Sequence, residues 1–516
     1  MAILCWLGSI QALGKCICRL RRYTFLMDNF VTFDSYDPVN DEILATFPIY
    51  SLVDVNRVVT AAQEAAPGWQ NLGFTGRKRV LLAWSKLLTD RIDECAALIS
   101  RETGKPKSDA TLEATLAIAH LAWAARNANQ VLRTQSRKPG VLMANMTATV
   151  ERSPFGVVGV IGPWNYPIFT PMGSIAYALA AGNTVVYKPS EFTPSIGVWL
   201  GNTFAEVAPD ESIFTVVTGL GDTGSALCQS NINKLAFTGS TKTAKIVAAE
   251  CAKSMIPVVL ECGGKDPVII AADADIQTAA DFTLWSAMSN AGQTCIGAER
   301  VYVHEKVADK FIATIVELSK SVKPGAPGVG SYGPATMPKQ VDIIEGHIAD
   351  ALNRGGTAVV GGLDSIRRPY VEPVILINVP EDSRALTEET FGPVIIINRV
   401  KDTDEAIALS NASHYGLGAS VWSKRSGKEI ASKLHCGMVA INSTTSFAAV
   451  PSVPFGGVKN SGYGRIHGPE GLLEFTYARS IVNARFQLPF SLTSFKRSSF
   501  GDRVVVRITK MFNGRG

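Results

Sequence analysis

Short apolar runs that alternate with helix-like stretches are the feature that most constrains how this chain folds. Two series of such runs occur, at 157–161, 184–187 and 214–217, and at 268–270, 394–397 and 439–442. Strands separated in this way by helices are typical of parallel sheets with helices on both faces. The sequence therefore predicts an α/β protein with two tandem doubly wound α/β domains.

The segment before the first series has helical periodicity instead. Val55, Val58, Val59 and Ala62 recur at i, i+3, i+4 and i+7, and alanine-rich sequence continues to Leu132. We expect helices throughout this segment.

Length and composition fit a globular protein of more than one domain. The 516 residues are 46% hydrophobic and 18% charged. The nine cysteines include no CxxC pair and the six histidines form no HExxH pair, so neither a disulfide framework nor a metal site is expected. Cysteines without paired spacing favour a reducing, cytoplasmic location.

Positive charge is concentrated at the two ends of the chain. The net charge is +4 over residues 1–26 and +6 over residues 485–516, which leaves −5 for the body because the whole chain carries +5. A nucleic-acid binder would carry a basic face on the fold itself, so no nucleic-acid partner is expected. Basic ends favour peripheral contact with an anionic surface such as a membrane.

Residues 1–27 are an N-terminal extension with three open interpretations. The extension starts with an apolar run at 2–7 and carries its arginines afterwards, the wrong order for a secretory signal. It fits an organelle presequence, a short anchor, or an extension upstream of a start at Met27. Organelle import therefore stays open.

The C-terminal tail, residues 491–516, is basic and has helical periodicity. Its apolar stripe consists of Val504, Val505, Ile508, Met511 and Phe512, flanked by Arg503, Arg507 and Lys510. A helix of this kind can lie in a membrane interface, or it can clamp a neighbouring subunit or the body of its own chain. Both interpretations remain open.

Cys295 and Glu261 are the candidate reactive pair. Small residues surround Cys295, so a substrate can approach its thiol, which is a strong nucleophile once deprotonated. Glu261 precedes two glycines, and a carboxylate there can activate water to release an acyl group from the sulfur. Either residue alone is equally consistent with a structural role.

Five further motifs follow one another in the chain. They are Pro163-Trp164-Asn165-Tyr166-Pro167, Tyr187-Lys188-Pro189-Ser190-Glu191, Phe237-Thr238-Gly239-Ser240, Glu389-Thr390-Phe391-Gly392-Pro393 and Pro454-Phe455-Gly456-Gly457. With the glutamate and cysteine motifs, they resemble the aldehyde dehydrogenase superfamily from about Tyr36 to Ser480. The resemblance implies NAD(P)-dependent oxidation of an aldehyde to a carboxylic acid through a thiohemiacetal and a thioester on Cys295. Asn165 and the Cys295 backbone N–H would stabilise the oxyanion.

The resemblance also places the cofactor. The glycine turn Gly219-Leu220-Gly221-Asp222-Thr223-Gly224 and the turn at Gly239 each lead into a helix, whose N–H groups can face a pyrophosphate. The expected contacts are Ile161, Trp164, Lys188, Ser190, Glu191, Gly221, Gly224, Gly239, Ser240, Glu389 and Phe391. Glu191 favours the free ribose hydroxyl of NAD, while Lys188 softens that preference and keeps NADP open.

The expected domain division follows these motifs. Residues 28–132 and 155–263 form the NAD-binding domain, and residues 264–475 form the catalytic domain. Residues 133–154 and 476–490 form a small bridging β arm for oligomerisation, so we expect a homodimer or homotetramer.

Three residues depart from the pattern of the superfamily. Cys262 stands where a leucine is usual, and Ser174 replaces a lysine that joins a proton relay with a glutamate, for which Glu474 is the candidate. Gly173 stands where some members carry a large aromatic residue. Gly173 and Ser174 together predict a wide tunnel and an apolar, long-chain or bulky aldehyde.

Two other functions compete with this interpretation. A CoA-acylating relative would release the thioester to CoA and typically lacks the glutamate, and a non-catalytic structural protein on the same fold usually loses the cysteine or the glutamate. Both Cys295 and Glu261 are present here.

Overall fold

The computed structural model describes residues 31–487, 494–495 and 498–514 of the chain. The predicted extension at residues 1–27 therefore lies outside the described residues, as does part of the predicted tail. Among the described residues, the α-helices are α1 (Leu52–Asn71), α2 (Gly73–Asp90), α3 (Ile92–Thr103), α4 (Lys107–Leu132), α5 (Phe169–Ala181), α6 (Pro194–Ala205), α7 (Gly221–Gln229), α8 (Thr241–Ala252), α9 (Ile276–Met288), α10 (Glu305–Ser319), α11 (Pro338–Asn353), α12 (Arg384–Thr387), α13 (Thr403–Ala412), α14 (Gly427–Ser432), α15 (Gly468–Glu474) and α16 (Ser499–Asn513).

In the part of the chain that the structure describes, the strands form two large sheets and three small ones. In chain order they are β1 (Thr32–Tyr36), β2 (Ile43–Pro48), β3 (Gln135–Arg137), β4 (Met146–Pro154), β5 (Val157–Ile161), β6 (Thr184–Lys188), β7 (Phe214–Val216), β8 (Lys234–Gly239), β9 (Val258–Cys262), β10 (Pro267–Ile270), β11 (Arg300–His304), β12 (Thr357–Val360), β13 (Ile366–Arg367), β14 (Tyr370–Val371), β15 (Val374–Ile377), β16 (Val394–Val400), β17 (Gly418–Trp422), β18 (Met438–Ile441), β19 (Gly462–Tyr463) and β20 (Thr476–Ala484).

The first large sheet has the order β19-β9-β8-β5-β6-β7, and its strands are parallel apart from β19. The chain runs outward from β5 through β6 to β7 and then returns to β8 on the other side of β5. The sheet therefore reverses its winding direction between β5 and β8. Ligands of open α/β sheets bind at such a point, beyond the carboxyl ends of the strands.

The second large sheet has the order β12-β15-β16-β11-β10-β17-β18 and is parallel except for β12. Val268 on β10, Ile395 on β16 and Val421 on β17 are fully or almost fully buried, as expected for a sheet covered on both faces. Both predicted series of strands are confirmed, and so is the α/β fold class with two doubly wound sheets.

Helices α1 to α4 fill residues 52–132, which confirms the predicted helical segment. A capping box between Ser51 and Asp54 starts α1, and Val55, Val59 and Trp69 bury one face of it. The connection between α3 and α4 contains Lys105, and α4 contributes Glu113; both side chains point beneath the catalytic cavity described below.

A three-stranded antiparallel sheet joins β3, β4 and β20, so residues 476–484 return to pair with residues 146–154. These strands lie within the two segments expected to form the bridging arm. All residues of β20 after Thr476 are exposed, including Tyr477, Ile481 and Val482.

The C-terminal helix α16 confirms the helical prediction for the tail. Ser498 caps its first turn, and Gly501 is its one buried residue. In the predicted apolar stripe, Met511 and Phe512 are more than half exposed, whereas Val504, Val505 and Ile508 are partly buried, so the described body of the chain leaves part of the stripe uncovered. No helix among the described residues is both long enough and apolar enough to cross a membrane.

Candidate active site

A single cavity of about 690 Å³ brings together the candidate catalytic residues Cys295, Glu261 and Asn165. Its wall also contains Trp164, Gly239, Ser240, Glu389 and Phe391 of the expected cofactor contacts. The other six, Ile161, Lys188, Ser190, Glu191, Gly221 and Gly224, do not border it. The expected site residues therefore divide into one group that borders the cavity and a second group that does not.

Cys295 is half-buried on an unusual loop after α9. Asn290, Ala291 and Gly292 all have left-handed φ angles, of 53°, 56° and 70°. A Cβ on Gly292 would collide with the carbonyl of Gly392, so the loop needs glycine there. The loop carrying the sulfur thus packs directly on the loop that carries Phe391.

Gln293 ties the cysteine loop to its surroundings. Its Nε2 donates to the carbonyl of Asn290 at 2.9 Å and to that of Pro334 at 3.3 Å, while its Oε1 accepts from the backbone N–H of Thr336 at 2.9 Å. A buried, fully bonded amide fixes a loop because leaving any one of these groups unpaired is costly.

Asn165 lies beside this loop with one amide hydrogen still available. Its Nδ2 donates to the carbonyl of Gln293 at 2.9 Å, which uses one of the two N–H bonds. The backbone N–H of Cys295 has no hydrogen-bond acceptor among the described residues. Two donors of residues that border the cavity are therefore unpaired among the described residues.

A buried ion pair supports Asn165 from below. Lys105 Nζ is 2.7 Å from Glu113 Oε2 and donates to the carbonyl of Asn165, also at 2.7 Å. Both side chains of the pair are fully buried, and Glu113 accepts from the backbone N–H of Ile168 at 3.0 Å. Sequence reasoning missed Lys105 and Glu113, because nothing in their local sequence distinguishes them from surface charges.

Glu261 ends β9 with both carboxylate oxygens buried and without a hydrogen-bond partner among the described residues. Burial raises the pKa of Glu261 well above its usual value, and the opposing charge of Arg465 only partly offsets this. A Cβ on Gly456 would lie 2.6 Å from Glu261 Oε1, so the glycine leaves room for the carboxylate. A desolvated carboxylate of this kind is a stronger base than one in water.

Burial also raises the pKa of Cys295, and the nearby carboxylates of Glu389, Asp266 and Glu261 raise it further. At neutral pH the sulfur is therefore a thiol in this state, and it must lose its proton before it can attack. Cys262 lies on the same wall, and burial raises the pKa of that thiol to about 12.

Glu389 and Phe391 are held by a second buried ion pair, Lys265–Glu299. Glu299 accepts from the backbone N–H groups of Thr390 at 2.8 Å and Phe391 at 3.2 Å. Glu389 Oε1 accepts from the N–H of Gly264 at 3.0 Å. The ring of Phe391 meets Trp164 edge-on, with centroids 5.5 Å apart.

The second group of expected cofactor contacts lies where the first sheet reverses direction. Ile161, Lys188 and Gly239 end the neighbouring strands β5, β6 and β8. A Cβ on Gly224 would lie 3.7 Å from Ile161 Cδ1 and 3.8 Å from Lys188 Cδ, so α7 packs closely here. Because the sheet reverses its winding direction here, a ligand-binding crevice is expected beyond the carboxyl ends of these strands.

Three polar residues complete the edge of this crevice. Lys188 Nζ is 3.4 Å from Glu191 Oε2. Ser240 caps α8 and is exposed. Ser190 is buried, and its Oγ accepts from the N–H of Phe192 at 3.3 Å within the same turn.

The departures from the superfamily pattern have local explanations. A Cβ on Gly173 would lie 2.6 Å from His467 Nε2 and 2.8 Å from Ile466 Cδ1. The expected widening at Gly173 is therefore wrong, because His467 and Ile466 fill that space. Ser174 is buried, while Glu474 pairs with Lys234 at 2.7 Å.

The comparisons with known proteins agree with this geometry. The model of the aldehyde dehydrogenase family matches residues 26–481. The chain is 35% identical over 475 residues to 4,4'-diapolycopene aldehyde oxidase of Methylomonas sp, covering 91% of this chain and 89% of that protein. It is 33% identical to the succinate-semialdehyde dehydrogenase [NADP(+)] of Deinococcus radiodurans, covering 86% of this chain and 93% of that protein.

A solved structure leads to the same conclusion. NADP-dependent glyceraldehyde-3-phosphate dehydrogenase from Bacillus halodurans, complexed with NADP, superimposes with a TM-score of 0.83 at 35% identity, covering 88% of this chain and 96% of the other. Nicotinamide-dependent α/β oxidoreductases that act on aldehydes are the class of protein that these matches define. The chain belongs to the aldehyde dehydrogenase family. The resemblance seen in the sequence is confirmed, and the protein is an NAD(P)-dependent aldehyde dehydrogenase.

Proposed function

We propose that this enzyme oxidises neutral, apolar aldehydes to carboxylic acids and prefers NAD. The observation that carries the proposal is the chemical character of the cavity around Cys295. Apolar side chains that include Phe169, Phe282, Trp285, Ile296 and Phe455 dominate its wall. Binding of an alkyl or aromatic chain against such a wall is favourable because it removes apolar surface from water.

Charge in the same cavity opposes an anionic aldehyde. Among the described residues of its wall are four acids, namely Asp109, Glu113, Glu261 and Glu389. Lys105 is the one Lys or Arg there, and its ammonium is already paired with Glu113. The carboxylate of a semialdehyde acid would therefore be desolvated there without a partner.

NAD(P) fits the crevice beside this cavity. A Cβ on Gly221 would meet no atom within 4 Å, and Ser240 is exposed at the start of the 12-residue helix α8. The N–H groups at the starts of α7 and α8 would hold the pyrophosphate. Lys188 and Glu191 would hold the adenosine ribose, with Ile161 beneath it. Glu389, Phe391 and Trp164 would hold the nicotinamide end.

The side chains of the chain itself provide the covalent chemistry. The thiolate of Cys295 forms a carbon–sulfur bond with the aldehyde carbon, which gives a thiohemiacetal. The free N–H of Asn165 Nδ2 and the backbone N–H of Cys295 stabilise its oxyanion; loss of one such donor typically costs about 10²–10³ in rate. When bound, NAD(P) supplies the ability to accept a hydride, which the side chains lack. The product on sulfur is a thioester.

Glu261 completes the reaction as a general base. Its raised pKa suits removal of a proton from water, which then attacks the thioester carbon and releases the carboxylic acid and the Cys295 sulfur. Transfer to CoA would need no such base. The buried, unpartnered carboxylate therefore supports hydrolysis over CoA acylation.

The small antiparallel sheet supports assembly of subunits. We propose that residues 133–154 and 476–490 form the arm that bridges subunits in a homodimer or homotetramer, between a cofactor domain of residues 28–132 and 155–263 and a catalytic domain of residues 264–475. Exposed Ile481 and Val482 on β20 support this, because apolar side chains on an exposed strand favour burial against a partner.

The tail supports contact with an anionic membrane surface. On helix α16, Met511 and Phe512 of the apolar stripe are more than half exposed, and Arg507 and Lys510 on the same helix are exposed as well. An exposed apolar side beside positive charge is suited to an anionic lipid interface. An enzyme positioned there would meet apolar aldehydes that partition into the bilayer.

A substrate screen tests the proposed function. Purified full-length enzyme would be offered straight-chain aldehydes from acetaldehyde to decanal, phenylacetaldehyde and succinate semialdehyde, with NAD or NADP and with or without CoA. We expect kcat/KM to rise with chain length, because each buried CH₂ contributes about 0.8 kcal/mol, or roughly fourfold. CoA should not be consumed. A preference for succinate semialdehyde, or acyl-CoA as the product, would contradict the proposal.

A further inference from the structure

A folded-back segment, residues 455–466, packs against the end of β9 that carries Glu261. Strand β19, within this segment, pairs with β9 at Glu261. Phe455 and Ile466 exchange two backbone hydrogen bonds, of 2.7 and 2.9 Å, and so hold the two arms of the segment together. Arg465, which precedes Ile466, is thereby fixed near the end of β9.

Gly456 leaves the space in which the side chains of Glu261 and Arg465 approach one another. A Cβ on Gly456 would lie 2.6 Å from Glu261 Oε1 and 3.1 Å from Arg465 Cδ. Arg465 Nη1 donates to the carbonyls of Gly457 at 2.8 Å and Gly464 at 2.6 Å, which fixes the guanidinium. Its charge is therefore held near Glu261 without a hydrogen bond to that carboxylate.

Glu474 is a second charged residue at this place. Its Oε2 accepts from the backbone N–H of Arg465 at 3.4 Å, and its Oε1 is 2.7 Å from Lys234 Nζ. A Cβ on Gly464 would lie 3.3 Å from Glu474 Cδ and 2.6 Å from Val259 Cγ2. The carboxylate of Glu474 therefore also lies close to β9.

The two charges act on Glu261 in opposite directions. Burial is the largest cause of its raised pKa, Arg465 lowers that pKa, and Glu474 raises it. Glu261 also interacts with the thiols of Cys262 and Cys295, which are uncharged at neutral pH because burial raises their own pKa values. A buried carboxylate without hydrogen bonds is sensitive to nearby charges, since little water screens them.

We propose that Arg465 and Glu474 are positioning residues for Glu261, whose opposite charges set the pH range in which it can activate water to hydrolyse the thioester. Arg465 favours the ionised carboxylate, and Glu474 limits that effect. Neither side chain borders the cavity, so each acts on the reaction only through Glu261. This proposal rests on the proposed function, because it takes Glu261 as the general base.

Hydrolysis of the acyl-enzyme tests the proposal. Full-length enzyme would be acylated with the nitrophenyl ester of a fatty acid, which transfers its acyl group to the Cys295 sulfur and releases nitrophenol. Water then releases the fatty acid, and mass spectrometry would follow loss of the acyl group at a series of pH values. The rate in Glu261→Gln gives the background. We expect the wild-type rate above this background to rise with pH to a plateau as Glu261 ionises.

Two variants should move the midpoint of this pH profile in opposite directions. Arg465→Gln removes the cation but keeps an N–H donor, so the midpoint should move up by about one pH unit and hydrolysis at neutral pH should slow by up to about tenfold. Glu474→Gln keeps an acceptor for Lys234, and its midpoint should move to lower pH. Arg465→Lys keeps the charge and should retain most of the wild-type profile.

Two further variants are matched controls for the change in charge. Arg479 is 56% exposed on β20, and Glu470 is exposed on the same helix as Glu474. Arg479→Gln and Glu470→Gln should therefore leave the midpoint unchanged. A purely structural role of Arg465 and Glu474 would instead slow hydrolysis at every pH without moving the midpoint.

The possible failures are distinguishable. Midpoints that stay fixed in Arg465→Gln and Glu474→Gln, or that move in the same direction, overturn this proposal and leave Glu261 as the general base. Hydrolysis in Glu261→Gln at the wild-type rate overturns the proposed function, because another group then activates water. Failure of the ester to acylate Cys295 contradicts the nucleophile assigned in the proposed function.

Discussion

Two ion pairs in this molecule differ in burial and in the part of the site that each is proposed to serve. Lys105–Glu113 lies beneath Asn165, where both side chains are 0% exposed and the charged atoms are 2.7 Å apart. Lys188–Glu191 lies at the end of β6, where the lysine is 5% and the glutamate 38% exposed and the separation is 3.4 Å. The first pair supports the cavity where the covalent chemistry is proposed, and the second is proposed to recognise the cofactor.

The difference teaches which parts of the site can tolerate change. Breaking a buried pair leaves an uncompensated charge and costs about 3–5 kcal/mol. An exposed pair is worth only about 0–1 kcal/mol. Helix α16 continues this gradient, because Met511, Phe512 and the basic residues of the helix are exposed. Substitutions should therefore have their largest effects in the cavity and their smallest in the tail.

Cys295→Ala should have the largest effect. Without the sulfur no covalent intermediate forms, so aldehyde oxidation should fall by at least about 10⁴-fold while the cofactor still binds. The rate of NAD(P)H formation measures aldehyde oxidation, and a titration with the cofactor measures its binding. Cys262→Ala is the matched control, because that thiol lies on the same wall and should leave most activity. Substantial turnover by Cys295→Ala would remove the sulfur from its assigned role.

Glu261→Gln should separate the two halves of the reaction. The thioester should form but not hydrolyse, which gives at most one NADH per subunit followed by a rate reduced by about 10²–10⁴-fold. Rapid-mixing kinetics would show the burst. In the wild type, hydrolysis should speed up as pH rises through the raised pKa of Glu261, because only the ionised carboxylate can accept a proton. A linear time course at near wild-type rate would contradict the assignment.

Lys105→Met should lower kcat by about 10–100-fold with a smaller change in KM, because Asn165 loses the donor that positions its backbone. Urea unfolding should also show a loss of about 3–5 kcal/mol, since Glu113 is left unpaired. The double variant Lys105→Met/Glu113→Leu should recover stability but not kcat. Lys107→Met is the control, because the Lys107–Asp93 pair is 59% and 87% exposed. If the double variant recovered both kcat and the free energy of unfolding, Lys105 would have only a structural role.

Glu191→Ala should have a moderate effect confined to the cofactor. Removing the carboxylate leaves Lys188 to attract a ribose phosphate, so the ratio of kcat/KM for NADP over NAD should rise about tenfold, or 1–2 kcal/mol. Glu211→Ala provides an exposed glutamate as a control. If the wild type already prefers NADP, Lys188 dominates and the preference for NAD is wrong.

Removal of residues 486–516 should have the smallest effect on catalysis. Activity on a water-soluble aldehyde should stay within about twofold, because the described part of α16 does not border the cavity. Sedimentation with anionic liposomes should weaken, at about 1 kcal/mol for each Lys or Arg near the lipid. High salt should act in the same way on the full chain. Binding that survives the truncation would move the contact to residues 1–26, and no binding at low salt would exclude the membrane proposal.

The sequence predicted the features that depend on local pattern. Hydrophobic periodicity predicted the strands of both large sheets, the helices of residues 52–132 and the tail helix. Tertiary packing in this molecule favours the same secondary structure as the local pattern. The motifs also pointed to Cys295, Glu261 and Asn165, which the fold brings to one cavity. The short motifs allowed this prediction because the proposed role of each motif depends on the few residues of the motif itself.

The sequence did not predict features that depend on distant partners. Lys265 and Glu299 form a buried pair across 34 residues of chain, and neither position alone differs from a surface charge. The error at Gly173 has the same origin. The missing side chain was visible in the sequence, but the imidazole that occupies its space comes from His467, almost three hundred residues later.

The contact between Gly292 and the carbonyl of Gly392 has a mechanical consequence. Two backbones that approach too closely for a methyl group cannot move closer to one another, so a displacement of the Phe391 loop toward the cysteine loop must displace that loop as well. A side chain added at Gly292 would force the two loops apart, and the separation between Cys295 and the ring of Phe391 would change with it.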